Sequence, residues 1–256
     1  MYTINFNPVI LDFGKFQIRW YGLFYIFAFI LLYLCIRYLI NRKIVDFNLH
    51  ELDDFIFYVM IGVIAGSRIL YFAFYDIAGL FTLEVFRLWH GGMSFHGGLI
   101  GTIIAIMIFS RRYKKDIWPL LNITSLVAVL SLAFGRIGNF INSELAGIPF
   151  NGRWCVIFSS YDNICRHPYP IYAAISHLIL FIYLAVLLYL NRNNIKEFLH
   201  KKTITINFLI GYGILRIITD IWKVDYGIFG IKTGQWLSIL MIIIGLLLIK
   251  LKISKK

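Results

Sequence analysis

The sequence predicts an all-α polytopic membrane bundle. Of its 256 residues, 60% are hydrophobic and 18% aromatic, whereas a soluble domain is nearer half apolar. Apolar runs of about 20 residues recur along the whole chain, long enough to cross a hydrocarbon core about 30 Å thick. No Pro/Gly/Ser-rich linker, composition shift or internal repeat divides the chain. A single integral membrane domain over 1–256 is therefore expected, with a small periplasmic loop region near 136–169.

The hydropathy pattern places about seven transmembrane helices, near 20–40, 54–75, 95–110, 117–135, 170–190, 204–222 and 235–250. Trp20, Tyr21, Trp89, Trp118 and Trp236 stand near span ends, where amphipathic rings settle at the membrane interface. Met1 to Lys15 lacks the basic start of a signal peptide, and no small-x-small cleavage site follows the first apolar run. That run is expected to be retained.

The formal charge is +12. Its placement excludes nucleic acid as a partner, because the basic residues lie between the spans, where loops face anionic lipid. The clusters are Arg42-Lys43, Arg111 to Lys115, Arg192 to Lys202 and Lys250 to Lys256. They follow spans one, three, five and seven. The positive-inside rule then puts the amino terminus in the periplasm and the carboxyl terminus in the cytoplasm.

That topology brings distant polar residues to one depth. His96 opens span three from outside, and Arg136 emerges at the outer end of span four. Arg216 lies about 18 Å along span six, in the outer half of the core. His167 and Gln235 open spans five and seven from outside. An ionisable residue at membrane depth is expensive and marks a functional site by default.

Three segments could carry chemistry. In span six, Tyr212, Arg216, Asp220 and Lys223 are spaced four, four and three, which forms one polar stripe on an apolar helix. The stripe is either an internal Arg–Asp pair or an arginine that grips a lipid phosphate, oriented by Asp220. In the run Gly91 to Gly98, glycines allow close approach, and Gly97 with Gly101 forms a small-xxx-small packing face. His96 at this helix start should stay neutral and able to accept a proton, or it serves as a cap. In Gly135 to Gly147, Arg136 is a second phosphate candidate, with Asn139, Asn142 and Glu144 to orient it or bind glycerol hydroxyls. The alternative is an arginine that snorkels beside a solvated loop. Arg68 in span two reads as structural or headgroup-binding. Cys155 and Cys165 share one outer loop and are either a disulfide or two free thiols. Cys35 reads as packed or lipid-facing. No nucleophile elbow, P-loop or metal spacing is present, so no metal or cofactor is expected. A transporter would fit intramembrane Arg and His, but the inverted repeats and broken helices common there are not visible. A lipid-binding structural bundle is a third class.

The segment Gly-Arg-Ile-Gly-Asn-Phe-Ile-Asn-Ser-Glu-Leu-Ala-Gly at 135–147, together with His-Gly-Gly-Leu-Ile-Gly at 96–101, closely resembles the signature of prolipoprotein diacylglyceryl transferase. The similarity extends to Trp20-Tyr21-Gly22-Leu23, Arg166-His167-Pro168, Tyr212 to Arg216 and Gly234-Gln235. It implies a multi-pass enzyme of the bacterial inner membrane that moves a diacylglyceryl group from phosphatidylglycerol to the lipobox cysteine of a preprolipoprotein. By that resemblance His96, Tyr212, Arg136 and Arg216 are catalytic candidates. Tyr21, Asn139, Asn142, Glu144, Gly147, Gly97, Gly98 and Asp220 are candidates for substrate binding. The chain departs from the family where His90 replaces an acidic residue and where Asp220 replaces a glutamate. It also reads His167-Pro168-Tyr169-Pro170-Ile171-Tyr172-Ala173 in place of His-Pro-Ser-Gln-Leu-Tyr-Glu.

Overall fold

The structure, a computed structural model, describes residues 2–4, 6–12, 17–87, 91–224 and 230–253. Helices dominate it: α1 (Trp20–Asn41), α2 (Leu49–Tyr75), α3 (Phe95–Tyr113), α4 (Ile117–Ile141), α5 (Tyr169–Leu190), short α6 (Ile195–Leu199), α7 (Thr203–Thr219) and α8 (Thr233–Ile253). Among the described residues five short strands accompany them: β1 (Tyr2–Thr3), β2 (Val9–Asp12), β3 (Gln17–Arg19), β4 (Val156–Ile157) and β5 (Cys165–Arg166).

Among the described residues six helices are long and apolar enough to span a bilayer: those beginning at Gly22, Leu49, Ile117, Tyr169, Thr203 and Thr233. The other expected span, α3, has 19 residues. His96, three glycines and the Arg111-Arg112 pair in its last turn lower its hydropathy below that of the six. Large apolar side chains such as Ile26, Leu34, Ile179, Ile182 and Leu246 stand more than half exposed. Such faces are costly in water and suited to lipid. The chain is an all-α polytopic membrane protein.

Its contacts fall into two compact units, Leu32–Ile123 and Met1–Leu31 with Thr124–Lys256. In the first, α2 begins at a capping box. Asn48 Oδ1 accepts from the Glu51 amide at 2.8 Å, and Glu51 Oε2 accepts from the Asn48 amide at 2.8 Å. The seam between α2 and α3 is made of backbone. A Cβ built on Gly101 would stand 1.9 Å from the Gly62 carbonyl oxygen, and one on Gly97 would stand 2.2 Å from that of Gly66. The Gly97–Gly101 packing face therefore meets a second small-xxx-small face, Gly62–Gly66.

Arg68 closes this unit. Its guanidinium is 3% exposed and donates to the backbone carbonyls of Glu84 (2.5 Å), Val85 (3.1 Å), Arg87 (2.9 Å), Gly92 (3.0 Å) and Gly91. Only arginine offers donors in so many directions. Of the two readings of Arg68, this geometry is the structural one. It ties the α2–α3 connection to the helix that precedes it.

In the second unit, α7 packs on α8 and on α5. Gly213 sits against the Ser238 carbonyl, and Gly211 against Leu180. A small head lies between α4 and α5. Strand β4 pairs parallel with β1 and antiparallel with β5, over a core of Ile4, Ala146, Val156 and Phe158. Cys155 and Cys165 are bridged, with their Cα atoms 5.4 Å apart. Arg166 pairs with Asp162, which holds that carboxyl below the usual carboxylate range. Cys35 is free.

The bridge closes a loop of separation 10, which by loop entropy contributes about 2–3 kcal/mol to the head. Replacing Cys155 and Cys165 together by serine is expected to speed hydrogen exchange at the Val156 and Arg166 amides by about tenfold or more. The amides of α7 and α8 should not change. Equal protection of the head with and without the bridge would contradict this.

Candidate functional site

The segment from Gly135 folds as the last turns of α4 followed by a tight loop. Backbone bonds run from the amides of Asn142, Ser143 and Glu144 to the carbonyls of Gly138 (2.9 Å), Phe140 (3.0 Å) and Asn139 (2.9 Å). Ser143 and Leu145 both adopt left-handed backbone conformations, with φ of 55° and 57°. Residues without glycine's freedom rarely sit there, and such strain concentrates at functional sites. The double bend turns Glu144 back over the helix end. Its Oε2 accepts from Asn139 Nδ2 at 3.1 Å, and its Oε1 from Asn142 Nδ2 at 3.3 Å. Asn139 Oδ1 in turn accepts from Arg136 NH1 at 3.3 Å. Arg136, Asn139, Asn142 and Glu144 thus form one chain of contacts. The Asn142 Oδ1 is buried with no hydrogen-bond partner among the described residues.

Gly147 lies beyond the bend. Its amide donates to the His167 carbonyl at 3.1 Å, and the next amide, of Ile148, to the Trp222 carbonyl at 2.9 Å. A Cβ at Gly147 would stand 2.4 Å from the His167 oxygen and 2.9 Å from that of Trp222. Arg166 NH1 donates to the Gly147 carbonyl at 3.1 Å. Backbone packing explains this glycine: it lets the head, the start of α5 and the end of α7 meet. His167 stacks on Phe150 at 4.0 Å and contacts the Tyr172 hydroxyl at 3.1 Å through Nδ1. Burial there lowers its pKa.

The polar stripe of α7 folds inward at the carboxyl-terminal end of the helix. Arg216 Nε lies 3.1 Å from Asp220 Oδ2, and Asp220 is fully buried. The Tyr169 hydroxyl, also fully buried, lies 2.7 Å from Arg216 NH1 and 2.7 Å from Asp220 Oδ1. On α8, Gly234 makes room for this group, since a Cβ there would stand 2.8 Å from Asp220 Oδ2. Lys232 donates to the carbonyls of Asp220 and Lys223, which caps the end of α7 with a cation. Tyr212, one turn back from Arg216, is 1% exposed and stacks on His177 of α5, centroids 5.4 Å apart and rings nearly coplanar at 3°.

Arg136 and Arg216 share surroundings. Both guanidinium groups lie close enough to Tyr169 and to His177 to act on them electrostatically. Arg136, Tyr212 and Arg216 belong to the same compact unit. His96 lies in the other unit, as the second residue of α3, whose N-cap Ser94 accepts from the Gly97 amide at 3.4 Å. The His96 ring packs edge-on against Phe95 at 5.1 Å. Gly97 and Gly98 are buried against α2, Gly97 on Gly66 and Gly98 on Ser67. Tyr21 stands in the first turn of α1, its side chain outside the described residues. Trp89 and His90 also lie outside them.

Sequence reasoning missed Tyr169 and His177. Ala173 is buried, and one turn earlier the Tyr169 hydroxyl reaches Arg216. His177 was visible as an ionisable residue inside a span, the signal used for Arg68 and Arg216. Its ring is 2% exposed, and its Nδ1 has no hydrogen-bond partner among the described residues. Among the described residues no three His, Cys, Asp or Glu side chains gather in a way that could hold a metal ion.

Comparison with known proteins gives one answer. The family model described as prolipoprotein diacylglyceryl transferase matches residues 8–251. A phosphatidylglycerol–prolipoprotein diacylglyceryl transferase of Dechloromonas aromatica is 37% identical, over 98% of this chain and 97% of the relative. Proteins of the same name from Rhizobium meliloti and Nitrosomonas europaea are 36% and 38% identical, over 93% and 96% of this chain and 86% and 89% of theirs. With a family model matched from one end of the bundle to the other, the chain belongs to the prolipoprotein diacylglyceryl transferase family.

Proposed function

We propose that this chain transfers the diacylglyceryl group of phosphatidylglycerol to the lipobox cysteine thiol of a preprolipoprotein, as one multi-pass domain of the bacterial inner membrane. The reaction forms a thioether and releases glycerol phosphate. The observation that carries the site assignment is the pair of arginines held by protein anchors: Arg136 by Asn139, and Arg216 by Asp220 and Tyr169. A low-dielectric site with preset cations stabilises charge that develops as the phosphate leaves.

The amino terminus faces the periplasm in this reading. The basic clusters support that orientation, and so does the Cys155–Cys165 bridge, which requires an oxidising compartment. Phosphatidylglycerol enters from the outer leaflet. Its phosphate meets Arg136 and Arg216, while Asn139, Asn142 and Glu144 receive glycerol hydroxyls beside Tyr21 and Gly147. The thiol of the lipobox cysteine loses its proton to His96. The thiolate attacks the diacylglyceryl carbon that bears the phosphate ester. The C–S bond forms, the C–O bond breaks, and its electron pair leaves on the phosphate oxygen. Phosphate paired with arginine is a competent leaving group, so the step calls for no cofactor.

His96 comes before Tyr212 as the base because the Tyr212 ring is buried and stacked on His177, where a thiol has little access. His96→Gln is expected to reduce single-turnover transfer to a lipobox peptide by about a thousandfold while phosphatidylglycerol binding stays near wild type. Tyr212→Phe should slow transfer less. Near-normal transfer by His96→Gln with a dead Tyr212→Phe would move the role to Tyr212. The reading as a whole is tested by incubating the protein with labelled phosphatidylglycerol and a lipobox peptide. A thioether product supports it. Lipid binding or transport with no product would indicate a carrier instead.

A further inference from the structure

We infer that Tyr169 is a positioning residue of the transfer site, whose hydroxyl sets the plane in which the Arg216 guanidinium meets the phosphate. The inference rests on the reading above that Arg216 binds that phosphate.

The hydroxyl sits between two charged groups, 2.7 Å from Arg216 NH1 and 2.7 Å from Asp220 Oδ1. A guanidinium only donates and a carboxylate only accepts. The hydroxyl must therefore accept from Arg216 and give its proton to Asp220. The second carboxylate oxygen, Oδ2, forms an ion pair with Arg216 Nε at 3.1 Å but accepts no hydrogen bond among the described residues. The pair draws the two charges together without directing the guanidinium. The Tyr169 hydroxyl supplies a directed contact at NH1 and thereby orients the plane. Recognition of phosphate by arginine depends on that plane, because the fork places its N–H donors in it.

The rest of the structure holds the hydroxyl where it is. Tyr169 begins α5, its amide donates to the His167 carbonyl at 2.8 Å, and Pro170 presets the backbone of the first turn. The ring is fully buried. The carboxylate it serves is fully buried too, so the donor cannot be replaced by bulk water without opening the site.

Tyr169→Phe keeps the ring and removes only the hydroxyl. In steady-state transfer by the full chain, from phosphatidylglycerol vesicles to a lipobox peptide, read at a temperature well below the thermal transition of every variant, it is expected to lower kcat by about tenfold to a hundredfold, with KM for phosphatidylglycerol little changed. Asp220→Asn should also be slowed. If both side chains act through Arg216, the double variant should be no slower than about twofold below the worse single one. A loss of stability alone would shift the thermal transition and would not produce this overlap. Tyr169→Phe with wild-type kcat, or losses that multiply in the double variant, would overturn the inference. Arg216→Lys separates the two ideas. If it is inactive while Tyr169→Phe is normal, only the role of Tyr169 falls. If it turns over normally, the phosphate role of Arg216 falls and takes that of Tyr169 with it.

Discussion

Arg216→Lys and Arg136→Lys are each expected to lose transfer by about a hundredfold or more while the protein still inserts and binds lipid. Charge is conserved in both changes, so the effect isolates geometry. Arg216 engages Asp220 through Nε and Tyr169 through NH1, two directions from one planar group. An ammonium is a point charge on a flexible stem and cannot hold both while presenting further donors to a phosphate. Among the described residues Arg136 is held by one long contact, 3.3 Å to Asn139 Oδ1. Its lysine variant should therefore retain more activity than that of Arg216. Single-turnover transfer by each variant reads the ranking. Wild-type turnover in Arg216→Lys would remove the phosphate clamp from that residue.

Gly101→Ala is expected to cost about 3 kcal/mol or more of stability, more than any other glycine-to-alanine change on α3. The new methyl would stand 1.9 Å from the Gly62 carbonyl oxygen, a backbone atom that cannot step aside without moving α2. Gly98→Ala meets the Ser67 hydroxyl at 2.7 Å, the end of a side chain that can rotate, and should cost far less. Gly22→Ala meets nothing within 4 Å and serves as the neutral control. Thermal unfolding of the three in one detergent tests the order. Equal loss at Gly98 and Gly101 would mean that the α2–α3 seam yields more easily than its backbone contacts imply.

The spans were legible because lipid demands long apolar runs, and that demand leaves the same mark in any fold. The weakest, α3, was still placed near 95–110 by its apolar run, although its glycines and terminal arginines lower its hydropathy below that of the others. The arginines of the site could be picked out, but their tasks could not. Arg68 and Arg216 look alike as isolated charges in apolar helices. One proves to be spent on five carbonyls within its own unit, and the other is held by a carboxylate and a phenol. The Asp220 carboxylate, four residues on, was visible as a spaced pair, but the five carbonyls and the phenol lie more than 15 residues away, which no local pattern reports. Tyr169 was illegible for a related reason. A tyrosine at a span end usually means an interface anchor, and only the fold brings its hydroxyl to the end of α7. The bends at Ser143 and Leu145 also left no sign, since neither residue is of the type that announces a left-handed turn.

The α2–α3 seam has a consequence for how sequences of this kind can drift. In an ordinary helix contact, a larger residue on one side can be offset by a smaller one opposite. Here both sides are already glycine, at Gly62 and Gly66 facing Gly97 and Gly101. No smaller residue exists, so enlargement at any of the four admits no second-site rescue by shrinkage. Volume cannot be traded across the seam. Variation that adapts the protein to other bilayers or other clients must therefore accumulate elsewhere, on the lipid-facing sides of the helices and in the bridged head.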